Sequence, residues 1–372
     1  PPPTTDIYTN TESSAASDVY KRQIIDYLEL TQKGKLPLLR PPVREISGGT
    51  MQIDAATRRN LELTQALSGG REGSLLAAID RTVTAGGGRL LERRVSSPSR
   101  DLSVISERHD AVTYAVANID FRESLREALR RCPDVDRALS RLSLDRGGPR
   151  DLAAVRNAIA QCAVISDALP EEAPDLVTKL SKSLVGFDEL SALLEEALVA
   201  EPPLLARDGG FIAAGFDAGL DEARTLRDEG RGVIAGYQAD YISETGVSAL
   251  KIKHNNVLGY FIETTATHAE KMLAPPLSDR FIHRQTTANA VRFTTVDLSE
   301  METKILNAGG RALEIEKRLY EKLVQAVLAV SGPLGDCARA LSELDVTSAW
   351  AALAQKESWA RPKVDESKAF EV

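Results

Sequence analysis

Residues Leu250 to Arg292 read LKIKHNNVLGYFIETTATHAEKMLAPPLSDRFIHRQTTANAVR. Apolar and polar residues alternate with a period near two over Leu250-Lys251-Ile252-Lys253, and Asn255-Asn256 gives a turn signal before Val257 to Thr264. That pattern predicts one strand pair. Arg280 to Gln285 and Ala290 to Thr295 predict a second. On both sides the apolar spacing returns to three and four, the helical period. The chain therefore reads as mainly α: a helical core with two long antiparallel helices, one outgoing and one returning, carrying a small antiparallel β module.

The module differs from the rest in charge. Six Lys/Arg stand against three Asp/Glu between Ser248 and Arg292, a positive excess on a chain whose net charge is −8. A basic tip on an acidic body suits a phosphate-rich partner, because Lys and Arg release counterions on meeting a nucleic-acid backbone. Any solvated face also carries charge, so composition alone leaves both readings open.

At 372 residues the chain is long enough for two or three domains with a substantial core. No apolar run approaches the ~20 residues that span a bilayer, and no secretory signal pattern is visible. Cys132, Cys162 and Cys337 are widely spaced and odd in number, which predicts neither a disulfide framework nor a metal pattern and suits a reducing, cytoplasmic setting. The acidic pI of about 5.3 argues against a protein that coats nucleic acid over its whole surface.

Taken in order, residues 1–23 are set aside from the fold. Ser13 to Gln23 resembles the translation of a sequencing-library adapter, and the alternative is a natural disordered tail. Residues 24–47 read as a short helix end, Ile24 to Gln32, and a proline-broken connector. Thr50 to Asp54 is a short extended run, and Asp54 opens a helix expected to reach Gln65. Ser74 to Asp80 and Gly88 to Val95 follow as helices, with Gly86-Gly87-Gly88 read as a loop; nothing matches the phosphate-loop run G-x-x-x-x-G-K-[ST]. Helices are predicted over Ser106 to Ile119, Phe121 to Arg131, Asp134 to Leu142, Pro149 to Ala168 and Ala173 to Leu198. Asp208 to Gly215 predicts a turn and a short strand.

The outgoing helix is predicted from Asp217 to Ile242, with Leu220, Ala223, Leu226, Val233, Tyr237 and Tyr241 on one side and Gly230 and Gly232 weakening its middle. The returning helix is predicted from Asp297 to Val330, about 50 Å long at 1.5 Å per residue. Asp297 and Glu300 have capping-box spacing. Leu298, Met301, Ile305, Ala308, Ala312, Ile315, Leu319, Leu323, Ala326 and Val330 form a heptad-like seam. Ser331-Gly-Pro333 breaks it before a helix from Leu334 to Ala354, with Leu341, Leu344 and Trp350 inward. Arg361 to Val372 reads as strand-bearing.

The runs LKIKHNNVLGYFIET, FIHRQTTANAVRFTT, LNAGGRALEIEKRLYEKL and LSELDVTSAWAALA, with MQIDAATRRNLELTQ, RDLAAVRNAI and RDGGFIAAGFDAGLDEAR upstream, resemble the core of the bacterial mismatch-repair MutS family. The resemblance runs from about Ile24 to the last residue. It implies the end of a connector domain over 24–47, a helical core and outgoing lever over 48–242, a β-rich clamp over 243–296, and a returning lever and core helix over 297–372 leading to an ATPase domain. It implies a DNA clamp that grips duplex backbone without reading sequence, through Lys251, Lys253, Arg284, Gln285, Thr286, Asn289 and Arg292. Arg and Lys pair with phosphates, and Asn, Gln and Thr donate to their oxygens. His283 stands where relatives often carry Arg, and Ala288 where many carry Lys. The resemblance further implies a homodimer, downstream repair partners, and ATP with Mg in a domain outside this stretch.

The same family reads mismatches with a Phe-x-Glu pair. Phe121/Glu123 and Phe261/Glu263 share that spacing in the wrong context. His109, His254, His268 and His283 lack zinc spacing, no Gly-x-Ser-x-Gly elbow occurs, and neither a catalytic nor a metal site is predicted. The alternative to a DNA clamp is a helical-arm scaffold whose β tip dimerises.

Overall fold

The computed structural model describes residues 15–31, 49–170, 172–255, 257–367, 369 and 371. The expected connector over 32–47 and residues 1–14 lie outside them. The chain divides into two compact units, one up to Leu204 together with Lys322 onward, the other Leu205–Glu321.

The first unit contains α1 (Ala15–Thr31), α2 (Ala55–Asn60), α3 (Leu75–Ile79), α4 (Ala85–Ser96), α5 (Leu102–Ala117), α6 (Ile119–Arg130), α7 (Val135–Ser143), α8 (Pro149–Ala168), α9 (Asp175–Ser181), α10 (Asp188–Ala197) and α14 (Ser331–Lys356). Helix α14 is its centre, packing on α4, α5, α6, α7 and α9. It is buried on most sides, through Leu334, Cys337, Leu341, Leu344, Val346 and Leu353, so it lacks the polar face of a surface helix. Trp350, expected to face inward, is half-buried.

Several sequence expectations need correction here. The glycine trio is not a loop: Gly86 to Gly88 form the first turn of α4, capped by Thr84, whose hydroxyl accepts from Gly87 N. A Cβ on Gly87 would lie 2.2 Å from Asp345 Oδ2, so the glycines are what lets α4 seat on α14. The fully buried Asp345 carboxylate accepts from Val83 N at 3.0 Å, Thr84 N at 2.7 Å and Thr84 Oγ1 at 2.6 Å. Burial pushes its pKa up against those hydrogen bonds.

The expected helix from Ala173 to Leu198 is two, α9 and α10. The chain turns at Gly186, whose φ of +91° lies in the left-handed region, and thereby tucks Leu184 and Phe187 into the core. Helix α2 stops at Asn60, because Glu62 adopts a φ of +51° and its carboxylate accepts from Leu67 N. Among the described residues after Arg361 there is no strand, and Asp208 to Gly215 forms none either, only the end of a 3-10 turn at Ala206–Asp208 and a single bridge residue at Ile212. The short extended run at Thr50 bridges Ser99. Helix α1 reaches back to Ala15, into the stretch set aside above.

The second unit holds α11 (Ala218–Thr245), β1 (Lys251–Asn255), β2 (Gly259–Thr264), α12 (Ala266–Leu273), β3 (Ile282–Thr286), β4 (Val291–Thr294) and most of α13 (Val296–Ala329). All four predicted strands are present, in one antiparallel sheet of order β1-β2-β4-β3. The helix α12 between the pairs is an addition to the sequence reading. Its Ala269 and Met272 fill the core beneath the sheet.

Helix α11 kinks at Glu229, beside Gly230, which packs on Ile305 of α13. The kink shifts the buried stripe by one residue, so Ile234 and not Val233 is the buried side chain beyond it. Helix α13 begins one residue earlier than expected, with Thr295 as its cap: Leu298 N donates to Thr295 Oγ1 at 3.0 Å. Asp297 instead receives Arg280. Of the expected seam, Leu298, Ala308, Ala312, Ile315, Leu319 and Leu323 are buried; beyond Leu323 the stripe passes to Val327 and leaves Ala326 and Val330 half-covered. A strict heptad drifts against the 3.6-residue turn, and this is where the drift shows.

Candidate nucleic-acid interface

The sheet has two unlike faces. Ile252, Ile262 and Phe293 stand opposite one another across β1, β2 and β4, and with Val291 they pack on Tyr241, Leu298, Met272 and Phe281. Side chains alternate along a strand, so the intervening residues share the other face. The register there aligns Lys251 with Glu263, Glu263 with Arg292, and Arg292 with Gln285; Lys253 faces Phe261. Four predicted site residues, Lys251, Lys253, Gln285 and Arg292, are thereby brought onto one polar surface.

Glu263 sits in the middle of that surface, and the sequence reading did not name it as a site residue. Lys253 Nζ donates to Glu263 Oε1 at 2.6 Å, and Arg292 Nε to Oε2 at 3.1 Å. Arg292 also donates through Nη1 to Gln285 Oε1 at 2.9 Å, and its guanidinium lies 4.6 Å from the Phe261 ring centroid, a cation–π contact. Phe261 is buried under it. The hydrogen bond from Lys253 holds the Glu263 carboxyl below its ordinary pKa, against desolvation, and Arg292 adds to the effect. The period-two pattern that puts Phe261 and Glu263 on one face was legible. Their partners on β1 and β4 depend on a register that one strand's sequence does not carry.

Arg284 occupies a different position. The register of β3 against β4 slips between His283 and Gln285, which leaves Arg284 as the extra residue of a β-bulge on an edge strand. A bulge re-aims its side chain away from the regular alternation. Arg284 is exposed and lines a shallow groove with Ile282, Thr295, Ser299, Glu300 and Thr303. Thr286 Oγ1 is hydrogen-bonded to His283 Nε2 at 2.9 Å, and Asn289 is exposed in the β3–β4 turn, which Thr287 closes by donating to Ala290 O. Thr286, Asn289 and Arg284 thus belong to the edge and turn, apart from the Lys253–Arg292 row.

The positive charge of the module is more committed than its sequence implies. Arg280 bridges Glu244 and Asp297, each at 2.9 Å, and stacks on Tyr241. Lys271 Nζ donates to Thr245 O at 2.6 Å at the end of α11. With Lys253 and Arg292 on Glu263, Lys251 and Arg284 are the cations of this stretch with neither an ion pair nor a side-chain hydrogen bond among the described residues. Phe121, the other Phe-x-Glu aromatic, is half-buried on α6 edge-to-face with Tyr114. Among the described residues no group of three or more His, Cys, Asp or Glu could hold a metal ion, and no helix is long and apolar enough to cross a membrane.

The family model for MutS domain III matches residues 56–351, most of the chain. The chain belongs to the MutS family. It is 67% identical over 350 residues to a DNA mismatch repair protein MutS of Dinoroseobacter shibae, and 67% over 347 residues to one of Paracoccus denitrificans. A third, from Cereibacter sphaeroides, is 65% identical over 349 residues. These alignments cover 93–94% of this chain but 40% of each relative, so the chain spans about two fifths of the length of the MutS proteins it matches.

Proposed function

We propose that the second unit grips the backbone of duplex DNA without reading its sequence, as the clamp and lever part of a mismatch-repair protein. The observation that carries this reading is the polar sheet face with its bulged edge: cations and amide or hydroxyl donors project from one antiparallel sheet, in a family whose named relatives are DNA mismatch repair proteins. Lys251 and Arg284 supply charge, and Gln285, Thr286 and Asn289 supply neutral donors to phosphate oxygens. No base-reading geometry is needed for any of these roles.

ATP-driven switching is assigned to sequence that the relatives carry beyond the stretch matched here. This chain has no G-x-x-x-x-G-K-[ST] run, and its glycine trio is occupied in helix packing. Homodimerisation, contacts with later repair proteins and a cytoplasmic setting belong to the same reading.

The test is anisotropy titration of unrelated duplexes over a range of salt. Binding should weaken steeply with salt and be alike for all sequences. Arg284→Ala should lower affinity uniformly and reduce the salt slope by about one. Absence of binding, or an effect confined to one sequence, overturns the assignment. The dimerising-tip alternative has an exposed edge strand in its favour, since all five residues of β3 are exposed. The bulge at Arg284 is a common device against edge-to-edge pairing. Sedimentation that shows concentration-dependent association without DNA affinity would favour that alternative.

A further inference from the structure

We propose that Glu263 is a built-in counter-ion of the DNA-binding face: its carboxylate takes the place between Lys253 and Arg292 that a backbone phosphate would occupy. It thereby sets how many cations the face offers. The inference rests on the clamp reading above and extends it to a residue that opposes binding.

Three features carry it. Both carboxylate oxygens are used, one for each cation, at 2.6 Å to Lys253 and 3.1 Å to Arg292. One of the two cations is pre-positioned, because Arg292 is also fixed by Gln285 and by Phe261 beneath it. The arrangement is reachable from solvent, with the Lys253 side chain 52% exposed and that of Glu263 17%. A carboxylate and a phosphodiester carry the same single charge and accept from the same donors. A phosphate arriving here therefore exchanges one anion for another, and contact with the two cations requires Glu263 to swing aside.

An ordinary surface ion pair would give the opposite sign. If Glu263 merely braced two useful cations, removing its charge would loosen them and weaken binding. If it occupies the phosphate position, removing its charge frees two cations and strengthens binding.

The experiment is anisotropy titration of a fully paired duplex at several salt concentrations with the full chain, Glu263→Gln and the double variant Lys253→Ala/Glu263→Gln, each checked by thermal melting. Glu263→Gln should bind about tenfold tighter near 0.1 M salt, with a slope steeper by about 0.9, the value for one further phosphate neutralised. The double variant should return the slope to about that of the unaltered chain. Glu263→Ala serves as a second substitution and should move in the same direction. Equal or weaker binding by Glu263→Gln, while the unaltered chain binds, overturns the counter-ion role and leaves the clamp reading intact. Loss of folding in both Glu263 variants shows the carboxylate to be a structural brace and overturns it too. No binding by any form at low salt removes the clamp reading and this inference with it.

Discussion

Gly87 and Gly232 are both helical glycines, and their surroundings give their replacement opposite signs. In a helix interior, alanine is favoured over glycine by up to about 1 kcal/mol through the unfolded chain's entropy. Nothing lies within 4 Å of a Cβ on Gly232, so Gly232→Ala should raise stability by about that amount in urea unfolding. At Gly87 the added carbon meets Asp345 Oδ2 at 2.2 Å, Cγ at 2.7 Å and Cβ at 2.9 Å. The last of these is rooted in the backbone of α14 and cannot swing away. Gly87→Ala should therefore destabilise, by about 1–3 kcal/mol for overpacking and more if the Asp345 hydrogen bonds to Val83 and Thr84 are lost. A neutral result would mean that α4 and α14 separate easily at this point. Neither sign is visible in the sequence, where Gly232 looks like a weak helix position and Gly87 like part of a loop. The difference comes from a residue more than 250 positions away, as with Glu263, whose two cations were each named from sequence but whose own role needed the strand register.

The start of α13 shows what an element inherits from its neighbours. Asp297 and Glu300 have the right spacing for a capping box, yet Thr295 is the cap because its hydroxyl serves two partners. It accepts from Leu298 N at 3.0 Å and shares a 2.6 Å hydrogen bond with the buried Tyr241 hydroxyl from α11. Thr295→Val keeps the shape but removes the cap and leaves a buried phenol without this partner. It should cost about 2–4 kcal/mol, combining a lost cap with an unsatisfied buried hydroxyl, and speed amide exchange at Leu298. Thr295→Ser should lose much less. Equal losses for the two would show that the methyl group, not the hydroxyl, is what matters. The seam of α13 permits a second test: Val327→Ala should destabilise by about 1–2 kcal/mol and half-covered Val330→Ala by less, the reverse of what the heptad spacing predicts. Spacing of three and four locates a helix and most of its buried face. It does not fix the phase where the helix drifts, nor the cap where a neighbouring element contributes the decisive group.

At the scale of the molecule, the period-two stretch and the long helical runs were enough to give a mainly α chain with a four-stranded sheet, because local periodicity encodes local structure. Pairing order, the bulge at Arg284 and the commitment of four cations to partners depend on contacts between distant residues, and periodicity is silent about those. Such contacts have a collective consequence under acid. The hydrogen bond from Arg89 holds Asp134 below its ordinary pKa, as Lys253 does for Glu263. Their stabilisation is present above the ordinary carboxylate range near 4 and is lost as pH falls through the depressed values. Asp345 runs the other way, since burial raises its pKa. Its contribution is complete below its ordinary value and is lost as pH rises through the raised one. Near pH 4 the two slopes oppose, and the acid limb of stability against pH should be shallow. Asp345→Asn removes the opposing slope. The variant should be less stable at neutral pH, because its amide cannot replace all the hydrogen bonds to Val83 and Thr84, while its acid limb steepens by up to about 1.4 kcal/mol per pH unit just above pH 4. Urea midpoints between about pH 3 and 6 measure this directly, with the extremes set by ordinary carboxylate titration. Parallel curves for the two proteins would mean that the donors from Val83 and Thr84 balance the burial, so that Asp345 titrates alike in the folded and unfolded chain.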